Sequence, residues 1–372
     1  MGLMLSTDDG TVGQWPTVTI VFLVYNRREE LRESLRHTLV ESDYEPGRVD
    51  VIVVDNASTD GSAGMVRAEF PQVRVMVRSE NIGVSGWNEG FAAARGDYVL
   101  ALDDDCYLPS DGLKRAVAAA HEHEADLVSF RVASTHDHEY VFTDKYRTGL
   151  FTFWGCAVLM RREVVAALGG YDPEIFVWAN ELEFMLRFFD RGFCHLHLPE
   201  VTAQHMKAPP IEDEDPSGWR GHRINARHFG YIAGKLLWPR DAAEACVALL
   251  ARNVRDALRE DPGAIRAVPS TVRGFVQGLR RRDPVGNAEL SRFYRRNFET
   301  FASPWWVSRT AGQLIRALPR EIARKIFTDK PRPKNVGRRG QYFDERPDLY
   351  PARATVLRFD RADHGERRTS HR

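Results

Sequence analysis

Three consecutive aspartates, Asp103-Asp104-Asp105, follow directly on the apolar run Tyr98-Val99-Leu100-Ala101-Leu102. Adjacent carboxylates repel one another, and folding by itself gives no reason to gather them at the end of a strand. A hard divalent cation gives one. Mg²⁺ and Mn²⁺ take oxygen ligands and are commonly held by one or two carboxylates together with substrate phosphates. An acidic turn that caps a helix is the other use of such residues. The three aspartates alone leave both readings open.

Other polar groups fall at equivalent places. Asp55 closes the run Val49 to Val54. A carboxylate there can accept hydrogen bonds from the imide N–H of uracil or thymine, or it can hold an Asx-type turn before Ser58-Thr59-Asp60. Tyr25, Asn26 and Arg27 end the first apolar stretch. Arg78, Asn81 and Gly83 form a turn in which Gly83 lets the backbone approach a ligand closely. Arg78 can reach phosphate or base, or remain a solvated side chain. Asn88, one helical turn further on, faces the same pocket or is satisfied by backbone.

These residues need elements to position them. Thr17 to Tyr25 is a continuous β-branched run, the pattern of a strand buried on both faces. A helix over Arg28 to Val40 follows, with Leu31, Leu35 and Leu39 at four-residue spacing. The pattern then predicts a strand over Val49 to Val54, a helix over Asp60 to Glu69 and a strand over Val73 to Arg78. A helix over Val84 to Arg95 and a strand over Tyr98 to Leu102 complete the first half. Alternation of this kind makes an α/β fold, Rossmann-like, with a mostly parallel sheet and helices on both faces. Ligands of such sheets sit beyond the carboxyl ends of the strands, where all four polar clusters fall. A helix over Leu113 to His123, a strand over Asp126 to Val132, an apolar stretch from Phe151 to Arg161, a helix over Glu181 to Arg191 and a closing strand from His195 to Leu198 come next. Beyond the acidic, proline-containing stretch Pro209 to Pro216 the chain reads helical. Val247, Leu250, Val254 and Leu258 make an apolar stripe, and Ser303-Pro304 starts a helix carrying Trp305 and Trp306.

The division expected is an N-terminal extension (1–16), a catalytic domain (17–208, its halves meeting at 105/106), a helical C-terminal region (209–329) and a basic, largely irregular tail (330–372). Zero formal net charge gives no reason to expect nucleic-acid binding. The cysteines Cys106, Cys156, Cys194 and Cys246 are too far apart to be a metal motif, and a chain of this size needs no disulfide staples, which fits a reducing compartment. Met1 to Pro16 lacks the basic-then-apolar pattern of a secretory signal. A cytoplasmic protein is expected.

Five segments, in order and in spacing, resemble the nucleotide-sugar glycosyltransferases of family 2, which have the GT-A fold. They are VTIVFLVYNR (Val18 to Arg27), VIVVDNASTDGS (Val51 to Ser62), RSENIGVSGWNEGFAAARGDYVLALDDD (Arg78 to Asp105), GCAVLMRREVVAALGGYD (Gly155 to Asp172) and NELEFMLRFFDRGF (Asn180 to Phe193). They cover about half the chain and leave out the helical C-terminal part. The resemblance implies an inverting transferase that moves a sugar from a nucleoside diphosphate to a hydroxyl acceptor on a glycan, lipid carrier or natural product. Asp55, with Tyr25, Asn26 and Arg27, would then meet base and ribose, and Arg78, Asn81, Gly83 and Asn88 would line the donor pocket. Asp103 and Asp105 match the outer residues of the family's Asp-X-Asp motif. Asp105 is implied as a direct ligand of Mg²⁺ or Mn²⁺, Asp103 as a ribose or metal-water contact, Asp104 as a lesser donor contact and His205 as completing the metal shell.

The resemblance also makes Glu181 the general base. The family often has Glu-Asp here, and this chain has Asn180-Glu181. A helix N-terminal acid stabilised by the macrodipole is the other account of Glu181. Glu183 falls on a different helical face and is expected to pair with Arg187. Trp154, Gly155, Trp178 and Phe176 flank the acceptor region, where aromatic faces stack on sugar rings. His195 and His197 are expected to be structural. The Asn-Glu-Leu-Glu wording is reminiscent of rhamnosyltransferase-like members and tilts the donor toward UDP- or dTDP-sugars. The C-terminal helices, with Trp238, Trp305, Trp306 and many arginines, could meet a membrane surface, the catalytic domain or another subunit. Two rivals stay open. A sugar-1-phosphate nucleotidyltransferase would usually begin with a Gly-rich phosphate loop, and the Tyr25-Asn26-Arg27-Arg28 turn has no glycine. A non-catalytic sugar-nucleotide-binding protein would accommodate the Asn180 departure.

Overall fold

A computed structural model of the chain describes residues 14–135, 152–206, 219–259, 262–301 and 354–359. Four parallel strands form its first half: β1 (Val18–Val24), β2 (Val49–Asp55), β3 (Arg74–Val77) and β4 (Tyr98–Asp103). Helices α1 (Arg28–Arg36), α2 (Ser62–Glu69) and α3 (Trp87–Ala93) connect them. The sheet continues through β5 (Cys106–Tyr107), β6 (Leu127–Ser134), β7 (Ala157–Arg161) and β8 (His195–His205), in the order β3-β2-β1-β4-β7-β6-β8-β5. β7 runs antiparallel to both β4 and β6, so the sheet is mixed beyond its parallel half. Helices α4 (Gly112–Glu122), α5 (Arg162–Leu168) and α6 (Asn180–Asp190) belong to this second half.

Strands β1, β2 and β4 form where the buried runs predict them, because a sheet covered on both faces needs apolar residues at every position. Val21, Phe22, Val53, Val54 and Ala101 are fully buried. Two apolar clusters cover the two faces. One contains Leu31, Leu35, Met65 and Val117, from α1, α2 and α4. The other contains Trp87, Phe184 and Phe188 from α3 and α6, and also Phe229, Ile232 and Leu236 from the C-terminal region. The strand expected at His195 to Leu198 continues to His205. Its register against β6 shifts at Phe130/Arg131, where Pro199, Glu200 and Val201 are passed over as a bulge.

The C-terminal region contributes α7 (Trp219–Leu236), α8 (Pro239–Arg259), α9 (Ala267–Arg280) and α10 (Ala288–Phe301). The apolar stripe expected on α8 does not face the core. Val247 and Leu258 are 65% and 80% exposed, while Ala242, Ala245, Cys246 and Leu249 are buried. Small residues allow the close approach of neighbouring helices here, so the bulkier stripe is turned outward. Part of the tail is ordered into the sheet: β9 (Thr355–Leu357) pairs antiparallel with His195 to His197 of β8. The Pro209 to Pro216 stretch and the helix expected after Ser303-Pro304 lie outside the described residues. All four cysteines are buried free thiols.

Candidate active site

Register places the first carboxylates. Val24 of β1 pairs with Asp55 and Leu23 pairs with Asp103, so the two acids flank the carboxyl end of β1. The chain leaves β1 through Asn26, whose φ of 53° is left-handed, a conformation Asn tolerates. The Asn26 carboxamide oxygen accepts the Thr59 backbone N–H at 2.8 Å. This ties the β1 turn to the β2 turn. Asp55 is 1% exposed and accepts the Ser58 N–H at 2.7 Å. The Asx turn expected as the bland account of Asp55 therefore exists, at a strand end that also faces the site.

The aspartates divide. Asp105, 2% exposed, receives the Arg27 Nη1 at 2.8 Å on one oxygen and lies 3.5 Å from His205 Nε2 with the other. Asp104 turns back toward β1 and accepts the Tyr25 N–H at 3.4 Å. Asp103 is half-buried at the strand end. His205 comes from a hundred residues away. The Cys106↔His205 pairing of β5 with β8 brings it in, and the Met206 N–H donates to the Asp105 carbonyl at 2.8 Å. One ligand atom from each of Asp103, Asp105 and His205 lies within 4.8 Å of the others. Two carboxylates and an imidazole on one small patch make a set that fits Mn²⁺ or Mg²⁺.

The electrostatics agree with a site short of positive charge. Burial, then Asp105 and Glu181 nearby, push the Asp103 carboxyl up to about 8. Burial, then Asp105, carry Asp104 well above its ordinary value. Burial works against the Arg27 charge, but Asp104, Asp105 and Asp103 outweigh it and hold the guanidinium more firmly protonated than usual. Arg27 offsets only part of a three-carboxylate cluster.

Glu181 stands in the first turn of α6, behind the non-glycine pair Trp178 (φ 60°) and Ala179 (φ 63°), both left-handed. Such residues are strained by about 1 kcal/mol or more each, and they occur where a site over-determines the backbone. Glu181 Oε1 accepts the Gly155 N–H at 3.1 Å. A Cβ on Gly155 would stand 2.4 Å from that oxygen, so glycine is required for this approach. Burial pushes the Glu181 carboxyl up to about 7. Its charge is also felt by Asp103 and by the buried Tyr171. Glu181 thus lies within electrostatic reach of Asp103.

The β3–α3 turn is built for close contact. Gly83 has φ +64°, and a Cβ there would lie 1.8 Å from the Phe176 carbonyl oxygen. That oxygen accepts the Val84 N–H at 2.8 Å. The Asn81 carboxamide oxygen accepts from Asn56 Nδ2 and from the Gly83 N–H, both at 2.8 Å. Asn88 uses its whole carboxamide on Tyr171, donating to the carbonyl and accepting the N–H, each at 2.8 Å. It anchors the Gly170-Tyr171 turn. Arg78 is paired with Glu89 on α3. Trp178 and Phe176 are 46% and 42% exposed, and Trp154 is half-buried against the apolar cluster that contains Leu31 and Val117. His195 and His197 share the buried Ser129 hydroxyl at 2.7 and 2.9 Å.

Sequence reasoning did not find the contribution of α7. Lys235 Nζ reaches Asp172 at 2.5 Å and Glu183 at 2.9 Å. The Tyr231 hydroxyl donates to Asp172 at 2.8 Å, and His228 is buried one turn earlier on the helix. Glu183, fully buried, also pairs with Arg187 at 2.6 Å, as the sequence predicted. His228, Tyr231 and Lys235 stand at i, i+3 and i+7, one helix face. That spacing was the available signal.

Residues 19–164 match the family described as Glycosyl transferase family 2. The glycosyltransferase AglE of Haloferax volcanii is 26% identical over 211 residues, covering 52% of this chain and 68% of that protein. The undecaprenyl-phosphate 4-deoxy-4-formamido-L-arabinose transferase of Edwardsiella ictaluri is 34% identical over 110 residues, 28% of this chain and about a third (34%) of that protein. Among solved structures, TarS 1-349 of S. aureus superposes with a TM-score of 0.52 at 16% identity, covering 80% of this chain and 92% of that one, a likeness of fold. Strand order, the acidic strand end and these matches agree: residues 19–164 make a glycosyltransferase domain of family 2, in a chain with the GT-A fold.

Proposed function

We propose that this protein is an inverting, metal-dependent glycosyltransferase that uses a nucleoside diphosphate sugar, with UDP- or dTDP-sugars favoured, and a hydroxyl acceptor. The observation that carries the reading is Glu181, a carboxyl raised to about 7, within electrostatic reach of a patch where Asp103, Asp105 and His205 can offer three ligand atoms within 4.8 Å. A carboxylate with that value is about half ionised near neutral pH and basic enough to take a hydroxyl proton. In a single displacement the acceptor oxygen bonds to the anomeric carbon, Glu181 takes its proton, and the sugar–phosphate bond breaks with inversion.

The nucleoside diphosphate would lie across the carboxyl end of β1. Asp55 and the Tyr25-Asn26-Arg27 turn would border base and ribose, with the Asn81–Gly83 turn beneath. Asp103, Asp105 and His205 would hold Mg²⁺ or Mn²⁺, which when bound offsets charge on the diphosphate. Arg27, paired with Asp105 at 2.8 Å, would orient phosphate once Asp105 is otherwise engaged. Asp104, turned toward the Tyr25 N–H, keeps the β1 turn in register. Trp178 and Phe176 offer aromatic faces to an acceptor.

The test is a thermal-shift panel of UDP, dTDP, GDP and ADP with Mn²⁺, with Mg²⁺ and with chelator. Stabilisation by uridine or thymidine diphosphate, dependent on metal, is expected. Equal stabilisation in chelator would defeat the metal role. Transfer assays with the stabilising donor then compare wild type with Glu181→Gln, and equal rates would remove the base assignment.

A further inference from the structure

Helix α9 is packed inside out. Its small residues Thr271, Gly274 and Gly278 are buried and cross Gly230 and Gly234 of α7. A Cβ on Gly274 would come within 1.9 Å of the Arg227 carbonyl oxygen, and one on Gly234 within 2.5 Å of that of Phe275. The crossing consumes the glycine face and leaves the branched apolar face outside. Val272, Val276 and Leu279 are 43%, 41% and 43% exposed, and Ile265, in the turn ahead of the helix, is 50% exposed. A helix of a globular body ordinarily turns such residues inward. Charge is segregated on the same surface. Ile265-Arg266, Val272-Arg273 and Leu279-Arg280 repeat every seven residues, which sets an apolar ridge beside a row of exposed arginines. From Ala264 to Arg282 there is no Asp or Glu. Among the described ion pairs none involves Arg266, Arg273 or Arg280.

We propose that this face of α9 docks on an anionic lipid surface, with Ile265, Val272, Val276 and Leu279 at the acyl boundary and Arg266, Arg273 and Arg280 at the headgroup phosphates. An exposed apolar ridge flanked by basic side chains is the arrangement of a helix that lies in the plane of a membrane interface, and a row of cations without carboxylates complements anionic headgroups. A second copy of the chain would bring a second arginine row with no carboxylate from this helix to meet it. The test reads vesicle binding and does not depend on turnover.

The experiment uses the full chain in co-sedimentation with vesicles of phosphatidylcholine alone and of phosphatidylcholine with phosphatidylglycerol. The wild type should sediment with the anionic vesicles, and less so at high salt. Each basic residue near such a surface strengthens binding about fivefold, so the double variant Arg273→Glu/Arg280→Glu should bind at least about 25-fold more weakly. Val276→Asp/Leu279→Asp should lose binding as well. Both variants should melt like the wild type, because the replaced side chains are exposed. The proposal falls if the wild type stays in the supernatant when the anionic vesicles sediment, or if the variants sediment as it does. It also falls if sedimentation velocity shows a dimer that Val276→Asp/Leu279→Asp dissociates while vesicles bind neither form.

Discussion

Glu181 and Asp103 carry opposite demands at neutral pH. Glu181 must lose its proton to act, so the limb of kcat/KM against pH should rise toward a midpoint near 7, set by burial of this carboxyl. Glu181→Gln should lower kcat by about 10²–10⁴-fold while donor binding, measured by thermal shift, persists. Asp103 shows the cost of an uncompensated cluster. Without metal its carboxyl moves from 3.8 to about 8, so the folded state holds the proton more tightly than the unfolded chain does. Its contribution to stability is complete below the ordinary carboxylate value and is lost as pH climbs through about 8. Asp103→Asn should therefore raise the melting temperature of chelator-treated protein more at pH 8 than at pH 5, by scanning calorimetry. In the wild type at pH 8, Mn²⁺ should stabilise, and Asp105→Asn or His205→Ala should abolish most of that shift.

At the scale of elements, α6 is held from two sides. Gly155, ahead of β7, fixes the Glu181 carboxylate, and Lys235 of α7 fixes Glu183 two residues further on. Breaking a buried charge network by removing one partner is costly. Lys235→Met should destabilise by about 3 kcal/mol in urea unfolding, with a loss of kcat larger than any change in donor affinity. The Gly83–Phe176 contact is a second clamp between halves of the site. Gly83→Ala would need both a left-handed φ and space that the Phe176 carbonyl fills. It should cost roughly 2 kcal/mol or more and weaken nucleotide binding, measurable by calorimetry.

On the scale of the molecule, the C-terminal helices share a core with the sheet. Phe229, Ile232 and Leu236 of α7 belong to the apolar cluster that contains Phe184 and Phe188 of α6. The division expected near residue 208 is thus crossed by packing. A chain cut after Met206 should expose this face and aggregate, whereas the whole chain should unfold in one calorimetric transition over these elements. Among the described residues no helix is long and apolar enough to cross a membrane.

The four parallel strands of the first half, the polar clusters at their carboxyl ends, the aspartate run and the Glu183–Arg187 pair were legible in the order of residues alone. Each depends on a local period or on neighbours in sequence, and a doubly covered sheet writes its buried runs continuously. The Asp105–Arg27 pair, the arrival of His205 beside Asp105, the Asn88 clasp on Tyr171 and the Lys235 tie to Glu183 depended on tertiary structure. So did the outward turn of the α8 and α9 apolar stripes. Those contacts join residues far apart in the chain, and which face of a helix is buried depends on what its neighbour allows. Where glycines permit backbones to touch, as between α7 and α9, the small residues take the interior and the larger apolar ones are left outside.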